Sequence, residues 1–92
     1  MKISLQNKKA LIGGSSKGLG FAVAEQLALS GAQVTIVSSN ERLLKERVLA
    51  LNKKTALKHN FLVCDYNDHE SYAKKISEYF DVNTVDILVN NT

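Results

Sequence analysis

The stretch GGSSKGLG, residues 13–20, follows the apolar run Ala10-Leu11-Ile12 and precedes an apolar-periodic stretch that opens at Phe21. Four glycines, two serines and a lysine fill a turn where a strand hands over to a helix. Such a turn brings unpaired N–H groups and the positive end of a helix dipole to one point, a combination that suits a phosphate. The plainer alternative is a turn that merely turns, and the surrounding pattern has to choose between them. Apolar runs at 9–12, 33–37, 60–64 and 86–89 are rich in Val, Ile, Leu and Phe without strict polar alternation, which predicts strands covered on both faces. Between them the apolar period is helical. Gly20, Val23, Ala24, Leu27 and Ala28 share one face, with Gly31 as the stop. Leu44, Val48 and Leu51 form the stripe of a second predicted helix at 41–51, and Tyr72, Ile76 and Phe80 that of a third at 68–80. A strand about every 25 residues with a helix between reports βα units, because a parallel crossover needs a helix to bring the chain back. The expected class is α/β: a three-layer, doubly wound half-fold with parallel order 3-2-1-4 and three crossover helices, the glycine turn lying at the switch point.

The 92 residues allow one hydrophobic core, so residues 1–92 are read as a single domain. Hydrophobic residues at 45% and charged residues at 23% are near the globular average. The N-terminal MKISLQNKK has no apolar signal region, and no later segment has the apolar length of a bilayer span, so a cytoplasmic protein without membrane contact is expected. The single cysteine, Cys64, excludes an internal disulfide and agrees with a reducing compartment. Net charge is +3, but the basic pairs Lys8-Lys9, Lys53-Lys54 and Lys74-Lys75 are scattered among acids. They read as solvated faces, and no nucleic-acid partner is expected. His59 and His69 have no Cys or carboxylate at metal-ligand spacing; surface or half-buried positions and no metal are expected.

Three loop chemistries compete for residues 13–20. A phosphate-binding P-loop needs Lys-Ser or Lys-Thr directly after its last glycine, and Gly18 is followed by Leu19-Gly20 instead. The nucleophile elbow G-x-S-x-G is matched literally by Gly14-Ser15-Ser16-Lys17-Gly18, but it calls for an acid and then a histidine beyond later strands, and both histidines come too early. A dinucleotide loop fits the spacing Gly14-x-x-x-Gly18-x-Gly20. An early glycine permits the turn out of the strand, a middle one lets backbone approach the pyrophosphate, and Gly20 lets the helix pack closely on the sheet.

The whole chain resembles the N-terminal part of a short-chain dehydrogenase/reductase, a family with a Rossmann-like fold. The family's T-G-x-x-x-G-x-G appears as residues 13–20, its aspartate after strand 3 as Cys64-Asp65-Tyr66, and its strand-4 motif as Asp86-Ile87-Leu88-Val89-Asn90-Asn91. Gly13 replaces the family's threonine, and Thr92 replaces its alanine. The resemblance implies that Gly14, Ser15, Ser16, Lys17, Gly18, Leu19 and Gly20 surround pyrophosphate and ribose, that Asp65 and Tyr66 meet the adenine, and that Asn90 lies near the adenine-side ribose. For Cys64 a buried strand residue is the expected reading, not a reactive thiol.

The same resemblance implies NADP(H) rather than NAD. After strand 2 an NAD site presents an acid to the ribose, whereas this chain has Ser38-Ser39-Asn40. Lys17, with Arg42 as a second cation, would then meet a 2′-phosphate to which Ser39 and Asn40 donate. The family's catalytic tyrosine has a lysine four residues on. Here Tyr66, Tyr72 and Tyr79 are followed at that distance by Glu70, Ile76 and Asn83, so no catalytic residue is assigned. The chain is therefore expected to be a truncated dinucleotide-binding domain, the cofactor-binding half of such an oxidoreductase, with a non-catalytic nucleotide-binding or interaction module as the alternative. Strand 4 would be an edge, and self-association through it is expected.

Overall fold

The computed structural model describes residues 4–14, 18–65 and 67–90, the side chain of Asn90 excepted. The elements run β1 (Lys9–Gly13), α1 (Gly18–Leu29), β2 (Gln33–Ser38), α2 (Glu41–Lys54), β3 (Asn60–Val63), α3 (His69–Val82) and β4 (Ile87–Asn90). The strands form one parallel sheet in the order β3-β2-β1-β4, as the βα spacing predicts. Register is fixed by Ala10↔Val34 and Ala10↔Ile87 across β1, and by Thr35↔Asn60 between β2 and β3.

Strand alternation divides the core into two layers. Ala10 and Ile12, with Val34 and Ile36, face one way and bury against Ala24, Ala28, Leu44, Val48 and Leu51 of α1 and α2. Leu11, Val37 and Cys64 face the other way, toward Tyr72, Ile76 and Tyr79 of α3. The α2 stripe Leu44-Val48-Leu51 is buried as its period predicts, and each such side chain contributes about 1.5–3 kcal/mol on leaving water. The α3 stripe is looser, with no fully buried residue on the helix. Phe80, expected in the core register, is 42% exposed. Tyr79 packs instead, its hydroxyl 2.7 Å from Thr35 Oγ1.

Gly31 ends α1 as its position implies. Its φ of 105° is left-handed, and its N–H donates to Ala28 while that of Ala32 donates to Leu27, a Schellman closure. A Cβ at Gly31 would stand 3.1 Å from the Gln6 nitrogen, so a side chain there would be strained by the backbone angle and crowded against the Gln6 backbone. Asp86, expected inside the fourth strand, precedes it as a latch. Its carboxylate accepts from Lys9 N–H at 2.9 Å, and its own N–H donates to the Lys9 carbonyl at 2.8 Å.

His59 departs from the surface or half-buried expectation: it is 2% exposed. Its Nδ1 accepts the Val34 N–H at 3.0 Å, which leaves the ring proton on Nε2 to donate to Thr55 Oγ1 at 2.8 Å. The Thr55 hydroxyl in turn donates to the Leu51 carbonyl, and Asn52 Oδ1 accepts the His59 N–H. The ring thus ties β2, the entry to β3 and the end of α2 together. Sequence missed this because the partners are backbone and neutral amide groups, which leave no spacing signature.

Candidate functional site

The strand ends Gly13, Ser38, Val63 and Asn90 all lie on the carboxyl edge of the sheet. Successive crossovers leave β1 toward opposite sides, with α1 and α2 on one face and α3 on the other. In such sheets the crevice at this reversal is where ligands bind.

The glycine turn emerges from β1 at that point. Gly14 and Gly18 have φ of 65° and 56°, a region costly to residues with a Cβ. A Cβ on Gly18 would meet no described atom within 4 Å, so the backbone angle rather than crowding calls for glycine, and the ground beside it is open. Helix α1 starts at Gly18, and the N–H groups of Gly18, Leu19 and Gly20 have no carbonyl partner inside the helix. Gly20 is buried against the sheet, and Leu19 is 72% exposed beside the turn. Ser15, Ser16 and Lys17 lie outside the described residues.

Two further loops converge on the same edge. After β2, Ser39 is exposed, and Asn40 caps α2 by accepting the Leu43 N–H on Oδ1 at 3.1 Å. That bond commits the Asn40 carbonyl and leaves its amide Nδ2 as the donor end. The cap role was readable from Asn40 standing immediately before Glu41 and the apolar stripe. Arg42 has a 93% exposed side chain 4.0 Å from Glu46, and Glu41, in the first turn of α2, pairs at 4.0 Å with Lys45. After β3, Asp65 is exposed, and its Oδ1 accepts the Asn67 N–H at 2.9 Å, which leaves Oδ2 turned to other donors. Lys75 of α3 holds this strand end by donating to the Val63 carbonyl at 2.8 Å, a contact with no sequence signal. Tyr66 lies outside the described residues, and Asn90 is placed by its backbone alone, opposite Gly13.

Cys64, just past β3, is fully buried. Burial pushes its thiol above the usual cysteine range, with the Lys75 ammonium opposing weakly, so it is an inert packing group. Beneath the crevice an apolar groove of about 110 Å³ lies between α3 and the sheet, lined by Leu11, Val37, Tyr72, Ile76, Phe80 and Leu88. Ligand sites run to about 300–1,000 Å³ with convergent polar groups. The groove is smaller than that, and it lies on the α3 face of the sheet, with Gly13 at its rim. Among the described residues, no cluster of His, Cys, Asp or Glu could hold a metal, and no helix is long and apolar enough to cross a membrane.

A parallel sheet of order 3-2-1-4 with a glycine turn at its switch point defines a dinucleotide-type α/β protein. The chain belongs to the short-chain dehydrogenase family, whose model matches residues 8–92. It is 33% identical over 92 residues to a 3-oxoacyl-acyl-carrier-protein reductase of Chlamydia muridarum, covering 99% of this chain and 37% of the relative. A reductase of the same description from Aquifex aeolicus is 35% identical, with the same coverage of both chains. The crystal structure of L-sorbose reductase from Gluconobacter frateurii, complexed with NADPH and L-sorbose, superposes with a TM-score of 0.87 at 30% identity, over 100% of this chain and 35% of that one. The chain thus spans little more than a third of the length of these relatives.

Proposed function

We propose that the chain is a dinucleotide-binding domain of a short-chain oxidoreductase and that it takes NADP(H) in preference to NAD(H). The observation that carries the reading is the end of β2. Ser39 and the Asn40 amide stand there, with the first carboxylate at Glu41, in a chain whose glycine turn opens a helix at the same sheet edge. An anionic 2′-phosphate meets donors where an NAD site has an acid. Glu41 is one residue further on, but it is paired with Lys45. Lys17 supplies the main cation and Arg42 a second, Gly14 to Gly20 take the pyrophosphate, and Asp65 with Tyr66 receives the adenine amine. The sorbose reductase relative was crystallised with NADPH, which agrees with this choice. When bound, the nicotinamide would donate or accept the hydride; the chain's own contribution is binding and orientation. With no Tyr-x-x-x-Lys pair in its sequence, the 92-residue chain binds without turnover. We place it in the cytoplasm, and we assign its outer β4 edge to self-association.

Fluorescence titration of the chain with NADPH and NADH tests the assignment. NADPH binds more tightly, and Lys17→Ala weakens NADPH about tenfold, since a charge-assisted hydrogen bond at a rim contributes about 1.5 kcal/mol. NADH binding changes less, and the difference shrinks at high salt. Equal losses for both cofactors overturn the NADP(H) preference. Absence of binding to either leaves the interaction-module reading.

A further inference from the structure

Helix α1 meets the sheet through the small residues Gly20, Ala24 and Ala28, with Leu27 and Phe21 partly buried against the same layer. Two contacts with α2 add to that packing. The Arg47 guanidinium lies over the Phe21 ring, 4.7 Å from its centroid, and Lys54 Nζ lies 2.6 Å from Glu25 Oε2. Phe21 and Glu25 are one turn apart on α1, so the two ties form a ladder up its side. They are not equivalent. Phe21 follows Gly20 directly and lies in the first turn of α1, whereas Glu25 sits a turn deeper. Phe21 also packs against the α1–α2 core layer, so holding its ring holds the backbone of the turn.

We infer that Arg47, acting through Phe21, is a positioning residue for the phosphate-binding turn, and that the Lys54–Glu25 pair is not. The inference rests on the dinucleotide reading above for its ligand, while its structural half stands without it. The guanidinium charge lies over the ring face, and the contact sets where the first-turn N–H groups point.

Amide hydrogen exchange and NADPH titration on the same chain test this. The amides of Ala22, Val23 and Ala24 close the first turn onto Gly18, Leu19 and Gly20, so their exchange reports that turn directly. Arg47→Ala should speed their exchange and weaken NADPH about threefold. Arg47→Lys, which keeps the charge but not the planar guanidinium, should recover only part of both. Phe21→Leu, which keeps apolar packing and removes the ring, should speed the same amides and carries the test if Arg47→Ala does not fold. Lys54→Met should leave those amides and the affinity within about twofold. Unchanged exchange in both Arg47→Ala and Phe21→Leu, or an equal effect from Lys54→Met, overturns the assignment. If the unsubstituted chain binds no NADPH, the cofactor reading fails, and the exchange comparison alone decides the role of Arg47.

Discussion

His59 is held neutral by its surroundings. Burial lowers its pKa, and the groups it contacts, Val34, Asn52 and Thr55, carry no charge. A protonated ring would lose its acceptor and confront the Val34 N–H with a second donor. In the unfolded chain the residue titrates near 6.5, above its folded value, so between the two the unfolded state binds more protons. Stability therefore rises with pH through that window and falls as pH drops below about 6.5. Urea midpoints should decrease from pH 7.5 to pH 5.5, and His59→Phe should lose the contribution that this group makes to the slope. At neutral pH the same substitution should cost about 1–3 kcal/mol, because it orphans the buried Val34 amide. A slope unchanged in His59→Phe would remove His59 as its source.

At the scale of elements, α2 connects stability to the site through Asn40, which both caps the helix and stands at the end of β2 where the ribose phosphate is proposed to lie. Asn40→Ala should cost about 1 kcal/mol of stability through the lost cap. It should also weaken NADPH more than NADH, since the amide donor goes with the cap. Asn40→Asp separates the two roles: it keeps the cap and stability but places a carboxylate beside the 2′-phosphate, and it should reverse the cofactor preference. Thermal unfolding and the two titrations check this together. Helix α3 is the weaker element, with none of its residues fully buried. Besides the packing of Tyr72, Ile76 and Tyr79 on Leu11, Val37 and Cys64, two polar ties hold it to the sheet, from Tyr79 to Thr35 and from Lys75 to Val63.

In the whole molecule, the two faces of the sheet are unequally covered. α1 and α2 close one face, while α3 alone serves the other and leaves Leu88 62% and Phe80 42% exposed at the β4 side. β4 pairs with β1 on one side, and among the described residues no strand pairs with its other side. An exposed edge beside apolar surface invites pairing with a second copy. Sedimentation velocity should show concentration-dependent dimers, and Leu88→Lys should shift the chain toward monomer. A single monomeric species at high concentration would rule out association through this edge.

The half-fold and the glycine turn were legible from sequence because both rest on local rules. Apolar runs of strand length, helical stripes such as Leu44-Val48-Leu51, and glycines at Gly14, Gly18 and Gly31 each state their conformation through neighbours close along the chain. Strand order followed from the spacing of the βα units and the handedness of their crossovers. Tertiary structure alone decided which side of α3 packs. Tyr79 displaces Phe80 because its hydroxyl finds Thr35, 44 residues away. It also decided that His59 is buried and neutral, and that Arg47 of α2 covers Phe21 of α1. Those contacts join residues distant in the chain through backbone amides, hydroxyls and ring faces, and sequence spacing carries no record of such partners.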